Sequence, residues 1–203
     1  MNQVRINQHL DALAKLDDDV RRGLELVGYP EPRIRVEGFE TFLATIVSQQ
    51  ISTDAAAAIM RRVRDLLPRM EAADLLELPD GALRTAGLST PKVGYAQALA
   101  QVIVERSFDV SRLPDMDDQT VIETITSLKG FGVWSAQIYL MFSLQRSDVF
   151  PAGDLALRIA LQKLKGLEQR LTEKQASGVA ENWAPYRSAG SLFLWRYYRG
   201  APT

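Results

Sequence analysis

The fold of this chain is decided by residues 128–154, which read LKGFGVWSAQIYLMFSLQRSDVFPAGD. Near the start, Gly130 and Gly132 stand one residue apart between two segments whose apolar residues recur at helical spacing. Glycine adopts positive φ at little cost, so we expect both glycines to turn the chain sharply between two helices. The first N–H groups of the second helix then lack an intrahelical acceptor, which makes them an anion site. The stretch predicts a hairpin of two helices that binds a phosphate group at its turn.

A single carboxylate closes the same stretch. Residues 151–158 read PAGDLALR, which places Asp154 directly before an amphipathic helix. Negative charge is favoured at that end of a helix, so Asp154 is suited to act there as a carboxylate. An aspartate at this position is often only a helix N-cap, and these eight residues alone leave both readings open.

The hairpin and the carboxylate together resemble a known signature. LKGFGVWSA followed at this spacing by VFPAGD resembles the helix–hairpin–helix, Gly/Pro-rich loop and Asp signature of the base-excision (HhH-GPD) DNA glycosylase superfamily. Residues 48–52, SQQIS, are similar to the minor-groove loop of that family. Residues 153–158, GDLALR, and 183–196, WAPYRSAGSLFLWR, resemble its alkylated-base branch, 3-methyladenine DNA glycosylase II. The resemblance covers roughly residues 37–199.

The resemblance implies an all-α, two-lobed fold within a single domain, residues 1–203, with DNA in the cleft between the lobes. The sequence agrees, because it has no strand-like alternation and no repeat. We expect one lobe at residues 36–115 and the other at residues 1–35 together with 116–203. The N-terminal part predicts one helix over roughly residues 7–27. It leaves no room for the β-rich domain of larger relatives, so we expect the compact form of the family.

Composition excludes several kinds of site. The 203 residues contain no cysteine, which excludes disulfides, thiolate zinc sites and the Cys-ligated iron–sulfur cluster that other branches of the family carry. His9 is the only histidine, so a histidine-based triad or metal cluster is excluded as well. We expect His9 to be solvated, and we expect no cofactor beyond the monovalent cation considered below.

The charges are distributed unevenly. The net charge is −1, but residues 126–203 carry ten Lys and Arg against five acids. The basic part contains the hairpin, where contacts with phosphate groups would be expected. No apolar run is long enough to span a membrane, and the polar N-terminus lacks the apolar middle of a secretory signal. We therefore expect a cytoplasmic protein with no membrane partner, associated with the nucleoid if it is bacterial.

A corner is predicted around Gln50. Residues 39–49 read as a helix, and Ser52 or Thr53 then caps the alanine-rich helix that follows. The resemblance makes this corner the wedge that fills the gap left by an extruded nucleotide, with Gln50 or its neighbour Ile51 as the inserted side chain. The alternative is an ordinary helix–helix corner whose glutamines bind backbone groups.

Further contacts follow from the resemblance and the charges. The hairpin, Leu128, Lys129, Gly130, Phe131, Gly132 and Val133, is expected to bind the DNA backbone. Lys92 at a helix start and Arg158 are additional candidates for phosphate contacts, although for Lys92 we favour the alternative that its helix packs on the core and its ammonium group is solvated. The resemblance also implies a monovalent cation, Na⁺ or K⁺, on the carbonyls of Leu128 and Gly130, while no metal site is certain.

Asp154 and Trp134 together indicate a reaction. Removing a purine from DNA breaks a C1′–N bond through an oxocarbenium-like sugar, which a carboxylate such as Asp154 stabilises. In bifunctional relatives, the residue after the G-x-G-x motif is a lysine that attacks C1′ as an amine. Here that position holds Trp134, which cannot form a Schiff base. The sequence therefore predicts a monofunctional glycosylase without strand cleavage.

Aromatic residues are the candidates for the base pocket. Trp134 and Trp195 match pocket tryptophans of the resemblance, and Tyr139 and Tyr186 are further candidates. An alkylated purine carries positive charge, so aromatic faces attract it through cation–π contacts worth about 0.5–2 kcal/mol. The alternative for Trp195 is core packing, which we predict for Trp183.

The sequence thus predicts a monomeric glycosylase that flips alkylated purines of the 3-methyladenine type out of double-stranded DNA and hydrolyses their N-glycosidic bond. Two alternatives stay open. One is a non-catalytic hairpin protein that only binds DNA, in which Asp154 is a cap. The other is a glycosylase for different purine lesions, such as hypoxanthine or etheno-adenine.

Overall fold

The computed structural model describes residues 1–200, and all regular secondary structure in these residues is helical, as predicted. They form twelve α-helices and one 3-10 helix, Val110–Asp115. The α-helices are α1 (Gln3–Leu16), α2 (Asp18–Val27), α3 (Phe39–Ser48), α4 (Thr53–Leu66), α5 (Ala72–Leu76), α6 (Ala82–Ala86), α7 (Thr90–Val104), α8 (Asp118–Thr126), α9 (Val133–Phe142), α10 (Leu155–Leu164), α11 (Glu173–Glu181) and α12 (Arg187–Gly200). Within this part of the chain, no helix has both the length and the hydropathy needed to cross a bilayer.

The chain divides into two compact units. Unit 1 comprises Met1–Ile34 and the chain from Gln137 onward, and unit 2 is Arg35–Ala136. The sequence grouped residues 116–136, with the hairpin, among the C-terminal helices, whereas the structure places them in unit 2. The reason is packing: the ring of Phe131 lies edge-on to that of Phe42 in α3, with centroids 5.6 Å apart.

Unit 1 packs α1, α2, α10 and α12 around a common core. Two glycines leave room for large aromatic rings in this core. A Cβ on Gly23 would lie 2.6 Å from the ring of Phe193, and one on Gly190 would lie 2.6 Å from the ring of Trp183. Trp183 is 1% exposed, which confirms the prediction that it is a core residue.

The predicted single helix over residues 7–27 is wrong, because Asp17 interrupts it. Asp17 has extended backbone angles, φ −140° and ψ 105°, and its side chain accepts a hydrogen bond from the N–H of Asp19 at 3.1 Å. The same carboxylate accepts from Nζ of Lys165 at 2.7 Å and from Nε1 of Trp183 at 2.9 Å. Two side chains more than 140 residues away thus hold Asp17 as the N-cap of α2.

Unit 2 is built on α3, α4 and α7, whose apolar faces share one core. Leu43 and Val47 of α3, Met60 and Val63 of α4, and Ala96 of α7 are buried in it. Because α3 packs against both of the other helices, its C-terminal end lies beside the first turn of α7. That arrangement brings the predicted wedge next to Lys92.

Candidate active site

The hairpin turn depends on Gly130. Its φ is +89°, and a Cβ at this position would lie 2.5 Å from the ring of Tyr95. The N–H of Phe131 donates to the carbonyl of Leu128 at 3.1 Å, which closes the turn, and both side chains are buried. A side chain at residue 130 would therefore be strained in its backbone and would clash with α7.

Gly132 plays a different part from the one predicted. It is not among the glycines with positive φ, and a Cβ on it would meet nothing within 4 Å. The expectation that it also turns the chain is wrong, because Gly130 alone provides the left-handed residue. The carbonyl of Gly132 instead accepts the N–H of Ala136 at 3.2 Å and so begins α9. With Lys129 and Val133 also exposed, the N-terminal end of α9 is open to an incoming anion.

The predicted corner lies between α3 and α4. Gln50 is exposed and has φ +56°, a left-handed conformation that is uncommon for a residue other than glycine. Ile51 is 38% exposed. The hydroxyl of Ser52 accepts from the N–H of Ala55 at 3.2 Å, so Ser52 rather than Thr53 is the N-cap of α4. Both wedge candidates thus point away from the core, and the choice between them remains a prediction.

The two additional phosphate candidates have partners within the protein. Nζ of Lys92 donates to the carbonyls of Val47 at 2.8 Å and Gln49 at 2.7 Å. Burial lowers the pKa of Lys92. Arg158 is half-buried, and its Nη1 donates to the carbonyl of Leu171 at 3.4 Å. The favoured expectation of a solvated Lys92 is therefore wrong, because its ammonium group binds the end of α3, while the phosphate contacts of Lys92 and Arg158 remain predictions.

The carbonyls predicted to hold a monovalent cation are both engaged. That of Leu128 accepts the N–H of Phe131, and that of Gly130 accepts Nε2 of Gln49 at 2.8 Å. A carbonyl oxygen has two lone pairs, so each retains one for a cation. The hairpin fits such an ion only through those second lone pairs, and the cation remains a prediction. Within residues 1–200, no group of three or more His, Cys, Asp or Glu side chains is arranged to hold a metal ion.

Asp154 lies at the head of α10. Its Oδ1 accepts the N–H of Leu157 at 3.0 Å, and its own N–H donates to the carbonyl of Pro151 at 2.9 Å. The side chain is half-buried, behind a turn in which Pro151 and Ala152 are buried. The turn and the cap together fix the direction of the carboxylate.

The loop that leads to Asp154 is joined to the start of α12 by contacts that the sequence did not indicate. The hydroxyl of Ser188 donates to the carbonyl of Arg146 at 2.8 Å and accepts the N–H of Val149 at 3.0 Å. Arg187 binds the carboxylate of Asp148 in the same loop. These partners are about 40 residues apart, so local periodicity carries no signal for them.

The aromatic candidates have different environments. In unit 1, Trp195 is 8% exposed, and its ring centroid is 5.7 Å from that of Phe142. The guanidinium carbon of Arg33 lies 5.6 Å from the ring centroid of Trp195. Arg33 was not predicted from the sequence. In unit 2, Trp134 is 39% exposed in the first turn of α9.

The two tyrosines and the histidine complete this set. Tyr139 is buried, at 4% exposure. Tyr186 is half-buried, with its ring centroid 4.9 Å from that of His9. The expectation that His9 is solvated is therefore wrong, since its ring packs against Tyr186, and burial lowers the pKa of His9.

The predicted residues divide between the two units. Unit 2 contains the hairpin, the corner at Gln50 and Ile51, Lys92 and Trp134, and unit 1 contains Asp154, Arg158, Tyr139, Tyr186 and Trp195.

This combination of helical hairpin, corner and capped aspartate corresponds to a known class. The family described as HhH-GPD superfamily base excision DNA repair protein matches residues 43–185. The match covers more than half of the chain, which therefore belongs to this superfamily. The resemblance inferred from the sequence motifs is confirmed.

Individual relatives agree in sequence and in structure. DNA-3-methyladenine glycosylase 1 of Schizosaccharomyces pombe is 28% identical over 193 residues, covering 91% of this chain and 84% of the relative. The solved structure of that yeast enzyme, Mag1, in complex with abasic DNA superposes with a TM-score of 0.85 at 27% identity, over 93% of this chain and 95% of the other. A DNA-3-methyladenine glycosidase from Bacillus halodurans superposes with a TM-score of 0.83 at 30% identity, over 94% and 88%.

Proposed function

We propose that this chain is a monofunctional DNA glycosylase of base excision repair that hydrolyses the N-glycosidic bond of alkylated purines, of the 3-methyladenine type, in double-stranded DNA. The observation that carries the proposal is the carboxylate of Asp154, half-buried at the head of α10. The substrate class is supported by the names of the relatives, which are 3-methyladenine glycosylases.

The proposed reaction follows from the charge of the substrate. As the C1′–N bond breaks, its electron pair leaves with the alkylated base and neutralises the charge on that base. Positive charge develops on the sugar, where the carboxylate of Asp154 stabilises it. Water then adds at C1′ and loses a proton, for which the same carboxylate is a suitable acceptor. The hydrogen bond from the N–H of Leu157 to Oδ1 holds the group in orientation for both steps.

Selection of the damaged base is assigned to the faces of aromatic rings. A cationic base gains attraction from a tryptophan face that a neutral purine lacks. The guanidinium carbon of Arg33 lies 5.6 Å from the ring centroid of Trp195, so a cationic base would have to displace Arg33 to use that face. Trp195 and Trp134 are our candidates for these faces. Trp134 also occupies the position at which an attacking amine would be needed, which favours hydrolysis without strand cleavage.

Binding of the duplex is assigned to the hairpin, and filling of the gap is assigned to the corner. The exposed N-terminal end of α9 and Lys129 would contact phosphate groups, as helix N-termini do. The exposed Gln50 or Ile51 would fill the gap left by the extruded nucleotide. The reaction needs a single catalytic carboxylate, so we propose that one chain acts as a monomer.

The test compares wild type with Asp154→Asn on methylated duplex DNA. Free bases are measured by chromatography, and alkali treatment reveals abasic sites. Asparagine preserves the N-cap, so we expect normal folding and normal affinity for an abasic duplex. Base release should fall by about 10²–10³-fold because the stabilising charge is lost. Asp117→Asn is the matched control, since Asp117 caps α8 through a bond of 2.9 Å to the N–H of Thr120.

Each of the other outcomes would point to a different mechanism or function for this protein. Equal release by wild type and Asp154→Asn would exclude the carboxylate from the chemistry. Release of hypoxanthine or etheno-adenine alone would change the lesion class. Duplex binding without release of any base would indicate a non-catalytic DNA-binding protein.

A further inference from the structure

A chain of hydrogen bonds connects the corner at Gln50 with the hairpin. Nζ of Lys92, in the first turn of α7, donates to the carbonyls of Val47 at 2.8 Å and Gln49 at 2.7 Å. The side chain of Gln49 extends this series of hydrogen bonds, because its Nε2 donates to the carbonyl of Gly130 at 2.8 Å. We call these three residues, Lys92, Gln49 and Gly130, the relay. All of them lie in unit 2.

The relay fixes Gln49, which immediately precedes the corner, at two points. The carbonyl of Gln49 is bound by Lys92, and its side chain is bound by the hairpin. On the other side of the corner, Ser52 is fixed as the N-cap of α4. Gln50 and Ile51 are therefore exposed between two anchored residues, and Gln50 keeps a left-handed backbone there. A conformation of this kind persists only where its surroundings determine it.

The hairpin end of the relay is equally well defined. The ring of Tyr95 packs on Gly130 so closely that a Cβ would lie 2.5 Å from it. Tyr95 is three residues after Lys92, so both lie on one face of α7. The ring of Tyr95 contacts the hairpin, and the ammonium group of Lys92 contacts the residues before the corner. Helix α7 thus holds both DNA-facing segments of unit 2 in a fixed relation.

We propose that Lys92 and Gln49 are positioning residues for base extrusion. They hold the corner in register with the hairpin, so that a duplex bound by its phosphates at the hairpin meets a wedge that is already in place. The inference rests on the proposed function, of which it specifies one step. Neither side chain needs to touch the substrate, and the role of Lys92 is to bind the end of α3 rather than a phosphate.

Binding and extrusion should therefore respond differently to substitution. The anion site at the start of α9 does not include Lys92 or Gln49, so affinity for the duplex should be kept. Filling the gap requires that the wedge be placed correctly, and small displacements of catalytic geometry cost roughly ten- to a hundredfold in rate. The relay variants should lose extrusion while they retain binding.

The experiment uses a duplex with a tetrahydrofuran abasic analogue opposite 2-aminopurine, whose fluorescence reports stacking in the gap. Affinity is measured by anisotropy on the same duplex, and excision is measured under single-turnover conditions on methylated DNA. The variants are Lys92→Met, Gln49→Ala and the double variant, with Lys92→Arg as a partial rescue. Arg62→Met is the matched control, because Nε of Arg62 donates to the carbonyl of Ala86 at the end of α6 at 2.7 Å, also in unit 2.

We expect wild type and Arg62→Met to change the fluorescence of 2-aminopurine equally. Lys92→Met and Gln49→Ala should each bind within about threefold of wild type but lose most of the fluorescence change and roughly ten- to a hundredfold in excision rate. Because the two residues act through one relay, the double variant should be little worse than the more affected single variant. Lys92→Arg should recover part of the signal.

Full fluorescence change and full excision in either single variant would overturn the proposal, as would additive losses in the double variant or no change with wild type. If Lys92→Met does not fold, Gln49→Ala decides the question alone. The fluorescence measurement requires no bond cleavage. A wild type that releases no base, yet gives a signal that the relay variants lose, would refute the proposed function and support the relay.

Discussion

Arg187 donates two hydrogen bonds to Asp148, from Nε to Oδ1 at 2.6 Å and from Nη2 to Oδ2 at 2.8 Å. The pair joins the first residue of α12 to the loop that leads into Pro151 and Asp154. The hydrogen bond from Arg187 holds the pKa of Asp148 below its usual range. A bidentate pair of this kind fixes direction as well as distance.

Arg187→Met should therefore reduce base excision by about tenfold, because the loop before Asp154 loses one of its anchors. The excision rate of Arg187→Lys should lie between those of Arg187→Met and wild type, since lysine keeps the charge but cannot form the paired bonds. The comparison is made by single-turnover excision together with thermal unfolding. Arg69→Met is the control, because Arg69 pairs with Asp74 on the surface of unit 2. An unchanged excision rate in Arg187→Met would contradict the role of the pair.

The two hairpin glycines should respond differently to alanine. Gly130→Ala should destabilise the protein by roughly 2–4 kcal/mol, because the left-handed backbone and the ring of Tyr95 both oppose a Cβ. Gly132→Ala should leave the unfolding midpoint nearly unchanged, since the space around it is open. It should nevertheless weaken binding to an abasic duplex, because a methyl group would stand where a phosphate approaches the backbone. Equal stability of both variants, measured by denaturant unfolding, would contradict this distinction.

The junction between α1 and α2 should make stability depend on pH. Burial raises the pKa of Asp17, but the bonds from Lys165 and Trp183 outweigh it, so the pKa lies below its usual value. A lowered folded-state pKa contributes stability above the unfolded pKa, and that stability is lost as the pH falls below about 4. For Lys165, burial lowers the pKa, and Asp17 and Asp19 outweigh this effect, so it is raised. The contribution of Lys165 is accordingly lost at alkaline pH.

Asp17→Asn tests this junction, because it removes the charge and leaves Lys165 with Asp19 alone. Breaking such a largely buried pair should cost about 3 kcal/mol at neutral pH. The difference from wild type should shrink as the pH falls, which unfolding curves at several pH values would reveal. Asp18→Asn, at an exposed neighbour of Asp17, should change stability by less than about 1 kcal/mol. A constant difference from pH 3 to pH 7 would show that charge is not the cause.

The absence of an amine at residue 134 predicts hydrolysis without strand cleavage. Incubation with an abasic duplex and borohydride should trap no covalent complex, because Trp134 cannot form a Schiff base with C1′. Alkali treatment of the same DNA provides the positive control for abasic sites. Trapping by the pure protein would require another nucleophile, and Lys129 in the hairpin would be the first candidate for substitution.

The helical fold and the hairpin could be predicted from the sequence because their signals are local. Helical periodicity on either side of Gly130, and the turn that precedes Asp154, are contained within fewer than thirty consecutive residues. The N-cap of α10 is likewise a local feature, and it lies at the predicted residue.

Features that depend on distant partners could not be predicted. The break at Asp17 depends on Lys165 and Trp183, and the partners of Lys92 are more than 40 residues earlier in the chain. Without those partners in view, a lysine at a helix start reads as a solvated side chain or as a phosphate ligand. Gly132 was misread for a different reason, since a glycine with ordinary backbone angles looks the same in sequence as one kept for positive φ.

Because Gln50 has a left-handed backbone, a substitution that stabilises the corner would also change one of its functional candidates. Asparagine or glycine would adopt φ +56° more readily, so a search for stabilising substitutions would select one of them at this position. Either would shorten or remove one of the two side chains that our proposal offers for the gap in the duplex. If Gln50 is the inserted side chain, a more thermostable variant obtained in this way would fold better and repair less. Residue 50 should therefore be held constant when this protein is engineered for stability.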